Sequence, residues 1–188
     1  MYLVTCTHPN FTFCISYLSQ FSSRPLDIHH TAVKRVFHYI SSTLSYVLVH
    51  PQSSSVKLEG FSNASFANCI DTHHFNTSYI FQLRKCTISL YYKKQQCISN
   101  STTKVEYIAL SITARQAKWY THAFKQININ IPVQLYNDPQ SSIKLIENPV
   151  YYHKTKYIDI VYYYTRSCLI NNLFQLTYVS TKTMLVLL

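Results

Sequence analysis

Seven carboxylates are the only acidic side chains in this sequence of 188 residues, and they limit the chemistry that the chain can carry. Carboxylates that converge at strand ends and on a facing helix can hold two Mg²⁺ ions, which activate water for the cleavage of a phosphodiester. Glu106 lies in the first turn of the longest predicted helix, and Asp138 ends a predicted strand. These two residues are therefore the candidates for such a site. The full set of carboxylates is Asp27, Glu59, Asp71, Glu106, Asp138, Glu147 and Asp159.

Both candidates also have purely structural interpretations. Thr103 and Glu106 have the spacing of a capping box, in which the carboxylate of Glu106 accepts a hydrogen bond from the backbone N–H of the cap residue. Asp138 followed by Pro139 is typical of a helix N-cap with proline at the first helical position. On spacing alone, capping is favoured over metal ligation for both residues.

The composition of the chain favours an anionic partner. Lys and Arg number 17 against 7 acidic residues, which gives a formal net charge of +10. This balance points to nucleic acid, with a basic domain that has no specific partner as the alternative. The six cysteines form no C-x-x-C pair and have no histidine at metal-ligand spacing. We therefore expect reduced thiols in an intracellular protein that is not secreted. No apolar run approaches ~18 residues, so no membrane span is predicted.

The hydrophobic periodicity changes at the polar run 51–55. Two helices that form a hairpin are predicted within 9–44. Beyond the boundary, the pattern predicts strands at about 57–66, 78–83 and 86–92, a helix at 103–127, a strand at 133–137, helices at 139–147 and 158–169, and a strand at 173–181. Trp119 is predicted on the buried face of the long helix. This order predicts an α/β domain in which an antiparallel meander joins parallel strands through helical crossovers.

Glycine is almost absent from the chain, since Gly60 is the only one. Glycine is the residue that most easily adopts a positive φ in a tight turn. The predicted turn at Arg84 and Lys85 must therefore form without it.

Residues 61–67 read F-S-N-A-S-F-A, and this stretch resembles the Y-S-D-A-D-W-A motif of the ribonuclease H domain in copia-type retrotransposon Pol polyproteins. Further motifs of that family follow in order along nearly the whole chain. They lie at 2–9, 17–21, 36–40, 71–72, 89–95, 101–110, 136–141, 154–160 and 177–181. Each motif alone is weak, but their shared order and spacing are specific for the family.

The resemblance implies a domain organisation and a fold. Residues 1–50 correspond to the helical tail of the reverse transcriptase module. Residues 51–188 correspond to a C-terminally truncated ribonuclease H-like α/β domain. Such a domain has a mixed five-stranded sheet with flanking helices, and strand 57–66 lies at its centre.

The resemblance also implies a set of site residues. Asn63 stands at the position of the first metal-bridging aspartate, Glu106 at the helix glutamate and Asp138 at the third carboxylate. The implied cofactor is Mg²⁺, held by Glu106 and Asp138. A fourth carboxylate is expected after Met184 and Leu185, where this sequence reads V-L-L.

The matched motifs carry polar and basic residues for which the resemblance implies contact with nucleic acid. They are Lys93, Lys94, Gln95, Ser101, Thr102, Gln140, Lys154 and Lys156.

The function implied by the resemblance is hydrolysis of the RNA strand of an RNA–DNA hybrid by two metal ions. With asparagine at 63 and no fourth carboxylate, we expect this chain to be inactive. Its partner would be an RNA–DNA hybrid or another nucleic acid, in a cytoplasmic particle or the nucleus. The alternatives are a non-catalytic nucleic-acid-binding module and a pseudogene product without function.

Overall fold

The computed structural model describes residues 9–47, 49, 56–66, 75–95, 102–138 and 156–180. The chain divides into two compact units, Met1–His50 and Pro51–Leu188. None of the helices in the described ranges combines the length and the apolar character that crossing a bilayer demands.

The first unit contains the two helices that were predicted for it. A 3₁₀ turn at Pro9–Phe11 leads into helix α1, Thr12–Ser19, and helix α2 follows at Asp27–Ser42. The backbone N–H of Leu26, the cap residue of α2, donates to Nδ1 of His29 at 3.0 Å. No residue of α2 is buried. Ile28, Val33 and Phe37 are exposed, whereas Ala32, Val36 and Ile40 are half-buried.

The second unit is built on one five-stranded sheet with the order β3-β2-β1-β4-β5. The strands are β1 Leu58–Phe66, β2 Phe75–Leu83, β3 Cys86–Lys94, β4 Val133–Asn137 and β5 Gln175–Tyr178. β2 pairs antiparallel with both β1 and β3, whereas β4 pairs parallel with both β1 and β5. The predicted mixed sheet with its first strand at the centre is confirmed.

Two helices of the second unit flank the sheet. They are α3, Thr102–Gln126, and α4, Lys156–Ile170. α3 packs against β1 and β2, and α4 packs beside α3. The helix predicted at 139–147 lies outside the described residues. The largest fully buried side chains include Leu58 and Leu135 from the sheet and Tyr107 from α3.

Gly60 lies where β1 comes closest to the side chains of its neighbouring strands. A Cβ atom at this position would stand 2.5 Å from Cδ2 of Leu135 on β4 and 2.6 Å from Cε1 of Phe81 on β2. Carbon atoms at that separation overlap, so only glycine fits here without a shift of these two core side chains.

The β2–β3 hairpin closes through Arg84 and Lys85, both of which have positive φ, 52° and 65°. Two positive φ angles in a two-residue hairpin loop are typical of a type I′ turn, which favours Asn-Gly. Side chains with a Cβ are strained in this region. The hairpin forms as predicted, but its turn is made from residues that disfavour it.

Three sequence-based predictions about the second unit need correction. β2 begins at Phe75, earlier than 78, and β5 is shorter than the predicted 173–181. Trp119 does not lie in the core, since 60% of its surface is exposed.

Candidate active site

The carboxylate of Glu106 joins α3 to the central strand. Its Oε2 accepts a hydrogen bond from the backbone N–H of Ala64 at 3.1 Å. Because α3 begins at Thr102, Glu106 lies beyond the first turn of the helix, and that turn contains no acidic residue. The predicted capping box of Thr103 and Glu106 is therefore wrong. The carboxylate is directed to the end of β1 and not to the start of its own helix.

The register of the two parallel strands brings the other candidates to the same end of the sheet. Ser62 of β1 pairs with Asn137 of β4, and this is the last pair of that ladder. The next residue on β1 is Asn63, and the next residue after β4 is Asp138. The backbone carbonyl of Asn63 also accepts a hydrogen bond from Oγ of Ser78 on β2 at 3.4 Å.

The carboxyl group of Glu106 is buried and lies within the electrostatic influence of Asp138. Burial raises the pKa of Glu106 to about 8, the hydrogen bond from Ala64 acts against that rise, and the charge of Asp138 adds to it. A carboxyl group with this pKa is mostly protonated at pH 7. Without a cation, the site therefore carries less negative charge than its two carboxyl groups suggest.

The residues of this site offer Mg²⁺ a limited set of ligands. Mg²⁺ prefers carboxylate and carbonyl oxygens as ligands. Glu106 and Asp138 carry carboxylate oxygens, and the amide of Asn63 carries a carbonyl oxygen. However, no group of three His, Cys, Asp or Glu side chains in the described part of the chain is arranged to hold a metal ion. Two carboxylates and one neutral amide supply less negative charge than the pair of divalent cations used in two-metal catalysis requires, so these residues do not fit that pair.

Two buried polar side chains lie directly beneath the site. Oγ of Ser62 and both amide atoms of Asn137 have no hydrogen-bond partner among the residues that the structure describes, and both residues are fully buried. Buried polar groups without partners are rare and destabilising. The sequence reasoning missed this pair, and it also missed the backbone N–H of Ala64, because no residue type signals a main-chain donor.

The lysines predicted to contact nucleic acid lie at the end of β3. Lys93 is exposed and Lys94 is partly exposed. A cavity of about 210 Å³ adjoins them. It is lined by Thr77, Tyr91, Lys93, Lys94, Gln95, Ile108 and Ile112.

Gln95 requires a correction, because its side chain is buried inside the protein. Its Nε2 donates to Oγ1 of Thr77 at 2.8 Å and to the backbone carbonyl of Val105 at 3.2 Å. These bonds attach the end of β3 to β2 and to the start of α3. The side chain therefore has a structural role in this fold and is not presented to a nucleic acid.

The remaining predicted nucleic-acid contacts lie at the first residues of two helices or outside the described residues. Thr102 and Lys156 are the first residues of α3 and α4, and their side chains lie outside the described part of the structure. Ser101, Gln140 and Lys154 lie outside the described residues altogether.

Comparison with known proteins identifies the family, although no family model matches the chain. The Retrovirus-related Pol polyprotein from transposon TNT 1-94 of Nicotiana tabacum is 30% identical over 183 residues, which is 97% of this chain. The chain belongs to the copia-type Pol polyprotein family. As a Pol segment it spans only 14% of the tobacco polyprotein.

A second relative shares most of its length with this Pol segment. The Secreted RxLR effector protein 161 of Plasmopara viticola is 36% identical over 121 residues, which is 64% of this chain and 85% of that protein.

The fold of the Pol segment has a counterpart among solved structures. LC11-RNase H1, solved in complex with an RNA/DNA hybrid, matches with a TM-score of 0.51. The match covers 69% of this chain and 89% of that one, with 8% identity. At this identity the likeness establishes the ribonuclease H fold.

Proposed function

We propose that this Pol segment is a ribonuclease H-like domain that binds nucleic acid, preferably an RNA–DNA hybrid, without cleaving it. Residues 51–188 would form that domain, and residues 1–50 would be the tail of the preceding reverse transcriptase module. The proposal rests mainly on one observation, the asparagine at position 63. Asn63 and Asp138 each follow the last residue pair of the β1–β4 ladder. The residue after Asn63, Ala64, donates its backbone N–H to the carboxylate of Glu106 on α3.

The loss of charge at position 63 is large enough to disable metal-dependent cleavage. A carboxylate there would carry a full negative charge, whereas the amide of Asn63 offers one neutral oxygen. Two unit charges 4 Å apart interact by about 4 kcal/mol at an effective dielectric constant of about 20. A bridging carboxylate interacts with two divalent cations. Its loss therefore removes several times the interaction energy of one pair of unit charges.

The capacity to bind nucleic acid would be retained through positive charge. The chain keeps its net charge of +10, and Lys93 and Lys94 lie at the end of β3. A structural neighbour supports the choice of partner, since LC11-RNase H1 was solved in complex with an RNA/DNA hybrid. The residues that would hold Mg²⁺ are Glu106 and Asp138.

The test separates binding from cleavage. A hybrid with a 5′-labelled RNA strand is incubated with the purified chain in Mg²⁺ and, separately, in Mn²⁺, and binding is measured by fluorescence anisotropy in EDTA. We expect an intact RNA strand and an affinity that falls with salt, by nearly one log unit per log of salt for each phosphate contacted. Mg²⁺-dependent cleavage that Glu106→Gln abolishes would overturn the proposal. An affinity that is unchanged from low to physiological salt would also overturn it.

A second candidate is a product that does not fold stably, and one observation favours it. Arg84, Lys85, Asn128 and Asn172 occupy positive φ without a glycine among them. Thermal unfolding decides between the candidates. A cooperative transition with a heat absorption typical of a domain of this size supports the binding module, whereas its absence supports the second candidate.

A further inference from the structure

The outer face of α3 carries a regular stripe of basic side chains in its C-terminal half. Arg115, Lys118, His122 and Lys125 follow one another at intervals of three, four and three residues, which places them on one side of an α-helix. Arg115, His122 and Lys125 are exposed, and Lys118 is partly exposed. The stripe is about 15 Å long, given a rise of ~1.5 Å per residue.

Trp119 lies within this stripe, and its indole ring is presented to solvent on a rigid support. Its exposed fraction is 60%, although tryptophan is highly buried on average. The ring of Tyr120 contacts it edge to face with centroids 5.1 Å apart. Tyr120 in turn packs on Phe81 of β2 at 5.1 Å and on Phe124 at 6.2 Å. The indole is therefore backed by the core of the domain while its surface remains available.

The charges along the stripe are not neutralised by neighbouring acids on the same helix. Glu106 is the one acidic residue of α3, and it is bound to Ala64 near the opposite end of the helix. Nζ of Lys118 lies 5.3 Å from the ring centroid of Tyr164 on α4, and this cation–π contact positions the ammonium group at the side of the stripe that faces α4. The result is a surface that combines a row of cations with one exposed aromatic ring.

We propose that this basic aromatic face of α3 binds single-stranded nucleic acid, with phosphates along Arg115, Lys118 and Lys125 and an unpaired base on Trp119. Sites for single strands combine a positively charged track with aromatic rings on which bases stack. A duplex keeps its bases inside the helix, so it could use the cations but not the indole. An acidic protein would likewise need only the cations. The proposal does not depend on Asn63, Glu106 or Asp138 and stands apart from the proposed hybrid site.

The chain contains one tryptophan, so its fluorescence reports on this face alone. The purified chain is titrated with oligothymidylate, with oligouridylate and with a duplex of equal length. We expect saturable quenching by both single strands and a log–log salt slope of roughly −2, as three phosphate contacts on a single strand predict. The duplex should bind without comparable quenching.

Substitutions in the stripe test where the oligonucleotide binds. The affinity of each variant for a labelled oligonucleotide is measured by fluorescence anisotropy. Arg115→Gln with Lys118→Gln should weaken binding at least tenfold, and Trp119→Ala at least fivefold, as loss of one stacked base requires. The matched control is Lys34→Gln with Arg35→Gln, which removes the same charge from the exposed surface of α2 and should leave affinity unchanged. Circular dichroism and thermal melts of every variant should match the parent.

Several outcomes would overturn the proposal. They are an equal loss of affinity in the control, binding without a change in tryptophan emission, equal quenching by the duplex, and equal quenching by polyglutamate. The last would assign the face to an acidic protein. Quenching that persists when hybrid binding in the anisotropy assay is absent would refute the proposed function and leave this inference intact.

Discussion

The ionisation of Glu106 should make the stability of this domain depend on pH in an unusual direction. Its pKa rises from 4.5 to about 8 in the folded chain, chiefly because the group is buried. Between these values the folded state keeps a proton that the unfolded state releases, so stability falls as pH rises. The contribution of the protonated Glu106 to the free energy of unfolding is complete below about pH 4.5 and is lost above about pH 8. At about 1.4 kcal/mol per pKa unit, the total over the whole shift is on the order of 5 kcal/mol, of which about 4 kcal/mol falls between pH 5 and pH 9.

The variant Glu106→Gln isolates this effect. Its amide is neutral at every pH and its oxygen can still accept the hydrogen bond from the backbone N–H of Ala64. Near pH 5 the variant and the parent should have similar free energies of unfolding. Near pH 9 the variant should be more stable by on the order of 4 kcal/mol. Urea unfolding from pH 5 to pH 9 in EDTA measures the difference, and EDTA removes divalent cations that would stabilise the ionised form.

Asp27→Asn provides the control for net charge, because it removes one negative charge from α2 in the other unit. A difference between Glu106→Gln and the parent that stays constant from pH 5 to pH 9 would show that Glu106 ionises normally. That result would refute the buried position assigned to its carboxylate.

Three further predictions concern residues that hold the second unit together. Gly60→Ala should lower the free energy of unfolding by about 1–3 kcal/mol in urea, because its Cβ overlaps two core side chains. Lys85→Gly should raise stability by about 1 kcal/mol and the melting temperature by a few degrees, since it relieves a strained positive φ. Gln95→Ala should cost about 1–3 kcal/mol through its two lost hydrogen bonds, whereas Lys93→Ala at the exposed neighbouring position should change stability by less than about 0.5 kcal/mol.

Much of the sheet could be predicted from sequence because its signals are local. Periodicity and the family motifs placed the first strand within a residue of β1, Leu58–Phe66, and predicted β4 at its observed bounds, Val133–Asn137. β2 was predicted too short. Its first residues, from Phe75 to Ser78, are all buried and include polar side chains, so they lack the alternation by which a strand is detected.

The orientation of α3 could not be predicted in the same way. Ala114 and Ala117 are fully buried, and small residues allow the helix to approach its neighbours closely. In the C-terminal half of the helix the buried face is therefore made by small residues, and Trp119, a large apolar residue of that half, was wrongly predicted in the core. The hydrogen bond from Ala64 to Glu106 could not be predicted for the same reason. It depends on how α3 packs against β1, and no local sequence pattern indicates that packing.

The free edge of the sheet at β3 has a consequence for the behaviour of the protein in concentrated solution. Within the described residues, β3 pairs on one side alone, and it ends in Lys93 and Lys94. Unpaired edges recruit strands from other molecules, and lysines on an edge oppose this by mutual repulsion. The charges that would meet phosphates therefore also keep copies of the chain apart. Salt or bound polyanion that screens these lysines removes that protection, so the proposed binding of nucleic acid would lower solubility through the same two side chains.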